Sequence, residues 1–303
     1  QGVSSAASDV YKRQVLQPSF IQPAVLQSNL TTFLPLILVA IGQTYVILAG
    51  DIDLSVGSIV ALSNVVTVYV FAALGNGPDA IPYGMAAGLA TGLLVGLLNG
   101  VLVSVLRLQP IVTTFATGIV LAGAAIWVLP QAGLPVPDGY WMAYSGTVLG
   151  VPTVLLILAA AALCVAILSR SVFQAHLLAV GGNRAGAFQT GLSVVRLRIL
   201  AYGLSGLFSA VAALCLTGET ASGDPLLGGA LALSAISAVV LGGTALSGGQ
   251  GGAVGSILGA LVLGLIGNVI FFAGLPFEYQ TLVQGLIVLL ALAGGVVVTR
   301  RTA

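Results

Sequence analysis

Residues 30–74 read LTTFLPLILVAIGQTYVILAGDIDLSVGSIVALSNVVTVYVFAAL, two apolar runs at 30–49 and 55–74 interrupted by Asp51 and Asp53. Each run has the roughly 20 residues that an α-helix needs to cross a hydrocarbon layer. A membrane β-strand would instead alternate apolar and polar positions over about ten residues. Seven similar runs lie at 82–105, 110–130, 151–169, 199–217, 230–246, 253–273 and 280–299. The run at 230–246 is the shortest and is bounded by glycines. These runs predict an all-α polytopic membrane protein with nine visible spans.

Composition leads to the same solvent. Charged residues make 6% of the 303, and hydrophobic residues 58%, whereas a soluble domain carries about 25% charge. A mean hydropathy of +1.13 requires a surface that lipid covers. Low charge and high apolar content exclude disorder. A net charge of +1 without a basic cluster excludes nucleic acid as a partner. Cys164 and Cys215 lie in apolar runs and imply no disulfide framework.

The few charges orient the chain. Arg107, Arg170, Arg184, Arg196, Arg198, Arg300 and Arg301 fall in connections separated by even numbers of spans. The intervening connections carry Asp79, Asp138, Glu219, Asp224 and Glu278 and no Lys or Arg. The positive-inside rule therefore puts the arginines and the C-terminus in the cytoplasm. Nine spans would then strand Lys12 and Arg13 outside, so a tenth span is expected to be missing from the N-terminal end. Residues 1–14 differ in composition from the rest of the chain and resemble an adapter-derived segment; a single transmembrane domain is expected over 15–303. The stretch 50–58 (GDIDLSVGS) matches 229–237 (GALALSAIS) at Gly, Leu and two Ser positions. Because the two copies open spans on opposite sides, they predict a five-plus-five inverted repeat.

The 41 glycines are about twice the usual share of roughly 7%. Gly84, Gly88, Gly92, Gly96 and Gly100 recur every fourth residue, as do Gly251, Gly255 and Gly259. Small residues at this spacing let helix backbones approach closely. The glycine-dense 241–252 lacks the Gly-Lys-Ser/Thr ending of a phosphate loop and predicts a tight cytoplasmic turn. His176 has no ligand-spaced partner, so no metal is expected. No nucleophile, base and orienting group cluster, so no enzyme is expected.

Three sets of residues are candidates for function. Asp51 and Asp53, with Ser55 and Gly57, sit at the junction of two spans. Charge at membrane depth is costly and points to function, while Asp53 or Ser55 is also placed to cap the next helix; the two roles can coexist. The longest cytoplasmic connection, 170–198, offers Asn183 as an N-cap for a short helix over 184–190 and Gly191 as its stop. That helix is either a docking knob for a cytoplasmic partner or an unpartnered surface helix. Lastly, Gln43, Asn64, Asn99, Thr113, Thr114, Thr117 and Asn268 are neutral polar groups inside spans. They suit hydrogen bonding along a solute path or between helices.

Three motifs in order, GDIDLSVGS at 50–58, AVGGN at 179–183 followed by Ala187 and Gly191, and VVLGGTALSGG at 239–249, resemble permease subunits of bacterial ABC sugar importers of the ribose, xylose, arabinose and galactoside group. The resemblance covers about residues 18–303. It implies a ten-span fold that pairs with a second permease copy or paralogue. Two cytoplasmic ATPase subunits would dock on Gly181, Gly182, Asn183, Arg184, Ala187 and Gly191. ATP and Mg would sit on those subunits and no cofactor on this chain, and a periplasmic sugar-binding protein would deliver substrate. Asp51 stands where many relatives have glycine. Gly186 stands where alanine is common, which is expected to loosen the short helix by about 1 kcal/mol. The competing class is an ion-coupled secondary transporter, which would place ionisable groups near the midplane of the membrane.

Overall fold

The computed structural model describes residues 22–272 and positions 279, 282, 283, 285, 286 and 289. The segment 1–14, most of the run at 280–299, Arg300, Arg301 and the C-terminus lie outside the described residues.

The sequence runs become helices α1 Pro23–Leu48, α2 Val56–Ala73, α3 Ala80–Ser104 and α4 Pro110–Val128. After them come a short surface helix α5 Asp138–Ser145, α6 Thr153–Ser169, α7 Val172–Gly182, α8 Arg184–Gln189, α9 Val194–Thr220, α10 Leu231–Leu241 and α11 Ala253–Phe272. Two-residue strands Leu134–Pro135 and Ser222–Gly223 pair antiparallel at the end of the bundle away from the arginines. Among the described residues α1, α2, α3, α4 and α9 are long and apolar enough to cross a membrane, and α6 and α7 form one apolar pair bent by 68°.

Two boundaries differ from expectation for physical reasons. The run at 230–246 yields an 11-residue helix, about 16 Å long and half of a ~30 Å hydrocarbon layer. Before it, residues 221–230 run along α2 without helical structure: a Cβ on Gly223 would meet Val68, and one on Gly57 would meet the Gly228 carbonyl. Non-helical backbone at membrane depth survives only where protein satisfies it. Asn64 does so, accepting from the Asp224 amide (2.8 Å) and facing the Ser222 carbonyl. The run expected over 199–217 starts five residues earlier, so Arg198 lies inside α9 rather than in a connection. It is nearly buried, which the fold tolerates because a carboxylate meets it.

The core is built around α1, whose residues 37–48 are all buried. The glycine stripe of α3 faces two neighbours. At Gly84 and Gly88 a Cβ would strike Phe71 and Thr67 of α2, and at Gly92, Gly96 and Gly100 it would strike Gly206, Tyr202 and Ile199 of α9. Gly255 and Gly259 of α11 likewise lie against Gly242, which follows α10, and Ala238 of α10. Across from α3 and α9, α4 leaves Val112, Phe115, Ile119 and Val120 exposed, as a lipid- or partner-facing helix would.

Candidate functional site

Each of the three motifs ends a helix in the same way. At the end of α1 the amides of Gly50 and Asp51 bond the carbonyls of Ile47 and Val46; at the end of α8 those of Gly191 and Leu192 bond Phe188 and Ala187; at the end of α10 those of Gly243 and Thr244 bond Val240 and Val239. These are Schellman stops, and Gly50, Gly191 and Gly243 take the left-handed φ the motif needs, +79°, +85° and +83°. The recurring glycines of the motifs are thus positions where a helix must stop and leave room for the next turn.

Three turns meet at this end of the bundle. The Gly249 amide donates to the Leu48 carbonyl at 3.1 Å. A Cβ on Gly248 would stand 2.6 Å from the Gly50 Cα, and one on Gly181 would run into the Leu48 carbonyl and the Gly249 amide. The end of α1, the end of α7 and the glycine-rich turn 242–252 therefore share a single backbone contact. Residues scattered over about two hundred positions of sequence come together there.

The Asp51 carboxylate closes this knot with charge. Arg198 forks onto it, Nε to Oδ2 at 2.7 Å and Nη2 to Oδ1 at 2.9 Å. Arg184 adds Nη2 to Oδ1 at 3.1 Å and also donates to the Ala49 carbonyl at 3.1 Å. The Arg198 and Asp51 side chains are almost fully enclosed, whereas Arg184 is 45% exposed. Bidentate pairing fixes geometry as well as charge. Arg184 is the first residue of α8, so one carboxylate ties the short helix to the junction of α1 and α2. The α8 cap expected of Asn183 is present, with Oδ1 accepting from the Gly186 amide at 2.9 Å. The loosening expected of Gly186 has a counterpart: a Cβ there would press on the Asn183 amide at 3.0 Å. Ala187 is buried under α8 while Phe188 is 72% exposed.

Asp53 faces inward. Its Oδ1 accepts from both the amide and the hydroxyl of Ser55 at 2.8 and 2.6 Å, so of the two expected caps Asp53 holds a free amide at the start of α2, while Ser55 makes no side-chain cap bond. Asn99 of α3 donates to the Ser55 hydroxyl at 2.8 Å. The Gln43 amide, in the orientation that satisfies both ends, bonds the Asp53 carbonyl and amide at 3.2 and 3.1 Å. Burial pushes the Asp53 carboxyl, in the connection between α1 and α2, up to about 6 against the opposing pull of the Ser55 bonds. Among the other polar residues, Asn64 also donates to Thr217 (2.7 Å) and Asn268 to Asn29 (2.7 Å). Thr114 accepts from the Leu54 amide at 3.0 Å. Thr113 and Thr117 bond carbonyls of their own helix segment and border an open groove beside α4.

Residues 25–292 match the family described as branched-chain amino acid transport system / permease component. The chain belongs to this permease family. It is similar to the ribose import permease protein RbsC of Bacillus subtilis, at 38% identity over 91% of this chain and 86% of that one. It is also similar to RbsC of Escherichia coli, at 34% identity over 84% and 80%, and to the L-arabinose transport system permease protein AraH of Escherichia coli, at 33% over 90% and 85%. No solved structure matches. The permease is accordingly a transporter subunit rather than an enzyme, and a multi-pass membrane protein.

Sequence reasoning located Asp51, Asp53, Asn183, Arg184, Ala187 and Gly191, and the structure gathers Asp51, Arg184 and the two glycines Gly181 and Gly182 at one end of the bundle. It missed Arg198, which it used only to orient the chain. An arginine two residues beyond Arg196, entering an apolar helix, was the available signal.

Proposed function

We propose that this permease forms the membrane-spanning part of an ATP-driven importer that moves a monosaccharide, of pentose or hexose type, across a bacterial inner membrane by alternating access. The observation that carries this reading is the Asp51 clasp, which joins the first residue of α8 to the junction of two spans. A push on α8 reaches the spans through Arg184, Asp51 and Arg198. The names of the ribose and arabinose relatives support the substrate class.

In this reading the transmembrane domain pairs with a second copy or a paralogue and binds two ATPase subunits, which hold ATP and Mg, while a periplasmic binding protein delivers the sugar. The C-terminus is cytoplasmic. The reading keeps the five-plus-five inverted repeat, and the contact of Gly57 with Gly228 sets the end of the first repeat motif beside the start of the second. Nucleotide drives transport only if the ATPase subunits bind one permease state better than the other. The non-helical stretch 221–230 beside Asn64 is the segment best suited to the solute path, since broken elements near the midplane form such paths in other transporters.

Reconstitution with the ATPase and binding-protein partners and a panel of pentoses and hexoses tests the proposal. Sugar-stimulated ATP hydrolysis with uptake is expected. Uptake driven by an ion gradient without ATP would overturn it. Asn183→Ala and Gly191→Ala should break the link between hydrolysis and uptake; wild-type sugar-dependent hydrolysis and transport in both would remove α8 from the coupling role.

A further inference from the structure

At the arginine-rich end of the bundle, the C-terminal end of α3 and the α8–α9 corner border an open cavity of about 650 Å3. Arg107, Arg184 and Arg198 all border it. One carboxylate, Asp51, serves two of these guanidinium groups; Asp53, the other described acid at this end, is shut inside. Arg107 has no hydrogen-bond or ion-pair partner among the described residues, although its backbone is held at φ +56°. The hydroxyl of Ser104, which is 4% exposed and borders the same cavity, is also unpartnered. Three cations, one anion and an orphaned donor leave the cavity short of negative charge.

Its second property is its continuation. Leu108 and Gln109 border both this cavity and a neighbouring groove of about 370 Å3. The groove runs along α4 past Val112 and Ala116, and almost all of its wall is apolar. A basic cavity that opens into an apolar groove toward the membrane interior has the layout of an amphiphile with an anionic head.

We propose that the cavity and groove together hold one anionic phospholipid of the adjoining leaflet. Its phosphate meets Arg107 and the Ser104 hydroxyl, and one acyl chain lies against Leu108 and Val112. Basic cavities between spans bind such headgroups at membrane surfaces. Because Arg184 and Arg198 border the cavity and also hold Asp51, the lipid sits on the clasp that ties α8 to the spans. The proposal does not depend on which solute the permease carries.

The test uses the full chain reconstituted in nanodiscs of mixed phosphatidylglycerol and phosphatidylcholine, re-extracted, and assayed for retained lipid by native mass spectrometry. Selective retention of one phosphatidylglycerol is expected. Arg107→Gly, which relieves the left-handed backbone, should lower that retention roughly five-fold, the worth of one arginine at a membrane surface, and leave phosphatidylcholine unchanged. Val112→Trp, which fills the groove, should lower it as well. Equal retention of the two lipids would overturn the proposal. So would displacement by millimolar inorganic phosphate or glycerol phosphate with no effect of Val112→Trp, the result of a free-anion site. Loss of the lipid when ATPase subunits are added would assign the cavity to an acidic segment of the partner and equally overturn it.

Discussion

The turn after α1 and the turn after α10 begin identically and finish differently. Both leave a helix through a Schellman stop at a left-handed glycine, Gly50 or Gly243. The first then presents Asp51 to two arginines. The second presents Gly248 and Gly249, and it meets the first through backbone. One contact is held by charge and the other by the lack of side chains. An ionic contact can be remade by a compensating substitution, whereas a backbone contact closed by glycine has no replacement.

The largest effect should come from Asp51→Ala. It strands the enclosed Arg198 charge, a loss of about 3–5 kcal/mol by comparison with other buried pairs broken on one side. Thermal unfolding of the purified permease should show the loss, and Asp51→Ala with Arg198→Met should recover much of it. Arg184→Ala, at the exposed arm of the same clasp, should cost under about 1 kcal/mol. If the two arginine arms proved equal, the clasp would not be centred on Arg198.

Next is Gly181→Ala, which drives a methyl into the Leu48 carbonyl and should cost roughly 1–3 kcal/mol through overpacking. The same melts check it, and here no second-site charge change should rescue. Asn183→Ala should cost about 1 kcal/mol, the value of a lost cap, and should raise amide exchange over 184–189 without altering exchange in α9.

The last effect is confined to a pH window. The folded pKa of Asp53, about 6, lies above its ordinary 3.8, so the fold favours the neutral acid. The associated stability is full below about pH 3.8 and is lost as pH rises through about 6. Asp53→Asn, which mimics the neutral acid, should flatten the change in melting temperature between pH 4 and 6. An unchanged slope would show that Asp53 is not its source.

Local sequence carried most of the helix pattern. Hydropathy placed the runs that become α1 to α4, α6 and α9, and capping chemistry placed α8 to within one residue. What it could not carry was pairing at a distance. Hydropathy ends a span at a charge and so sets Arg198 outside α9; only its approach to Asp51, 147 positions away, makes its place inside the helix tolerable. Asn64 is similar. Nothing near it in sequence announces the unwound backbone at 222–224 that it supports. The convergence of the three motifs was also hidden, because each glycine's local role, stopping a helix, is complete without reference to the others.

The stripe on α3 has one more implication. Four residues at 3.6 per turn overshoot a full turn, so each step from Gly84 to Gly100 rotates the bare position by about 40°. Over four steps the notch winds through about 160°, like the thread of a screw. That rotation is why one helix can lie flush against α2 at one end and α9 at the other. A single four-residue repeat thereby specifies a three-helix junction. Inserting one residue at its midpoint would turn half of the thread about 100° out of register and part α3 from one neighbour while leaving it seated on the other.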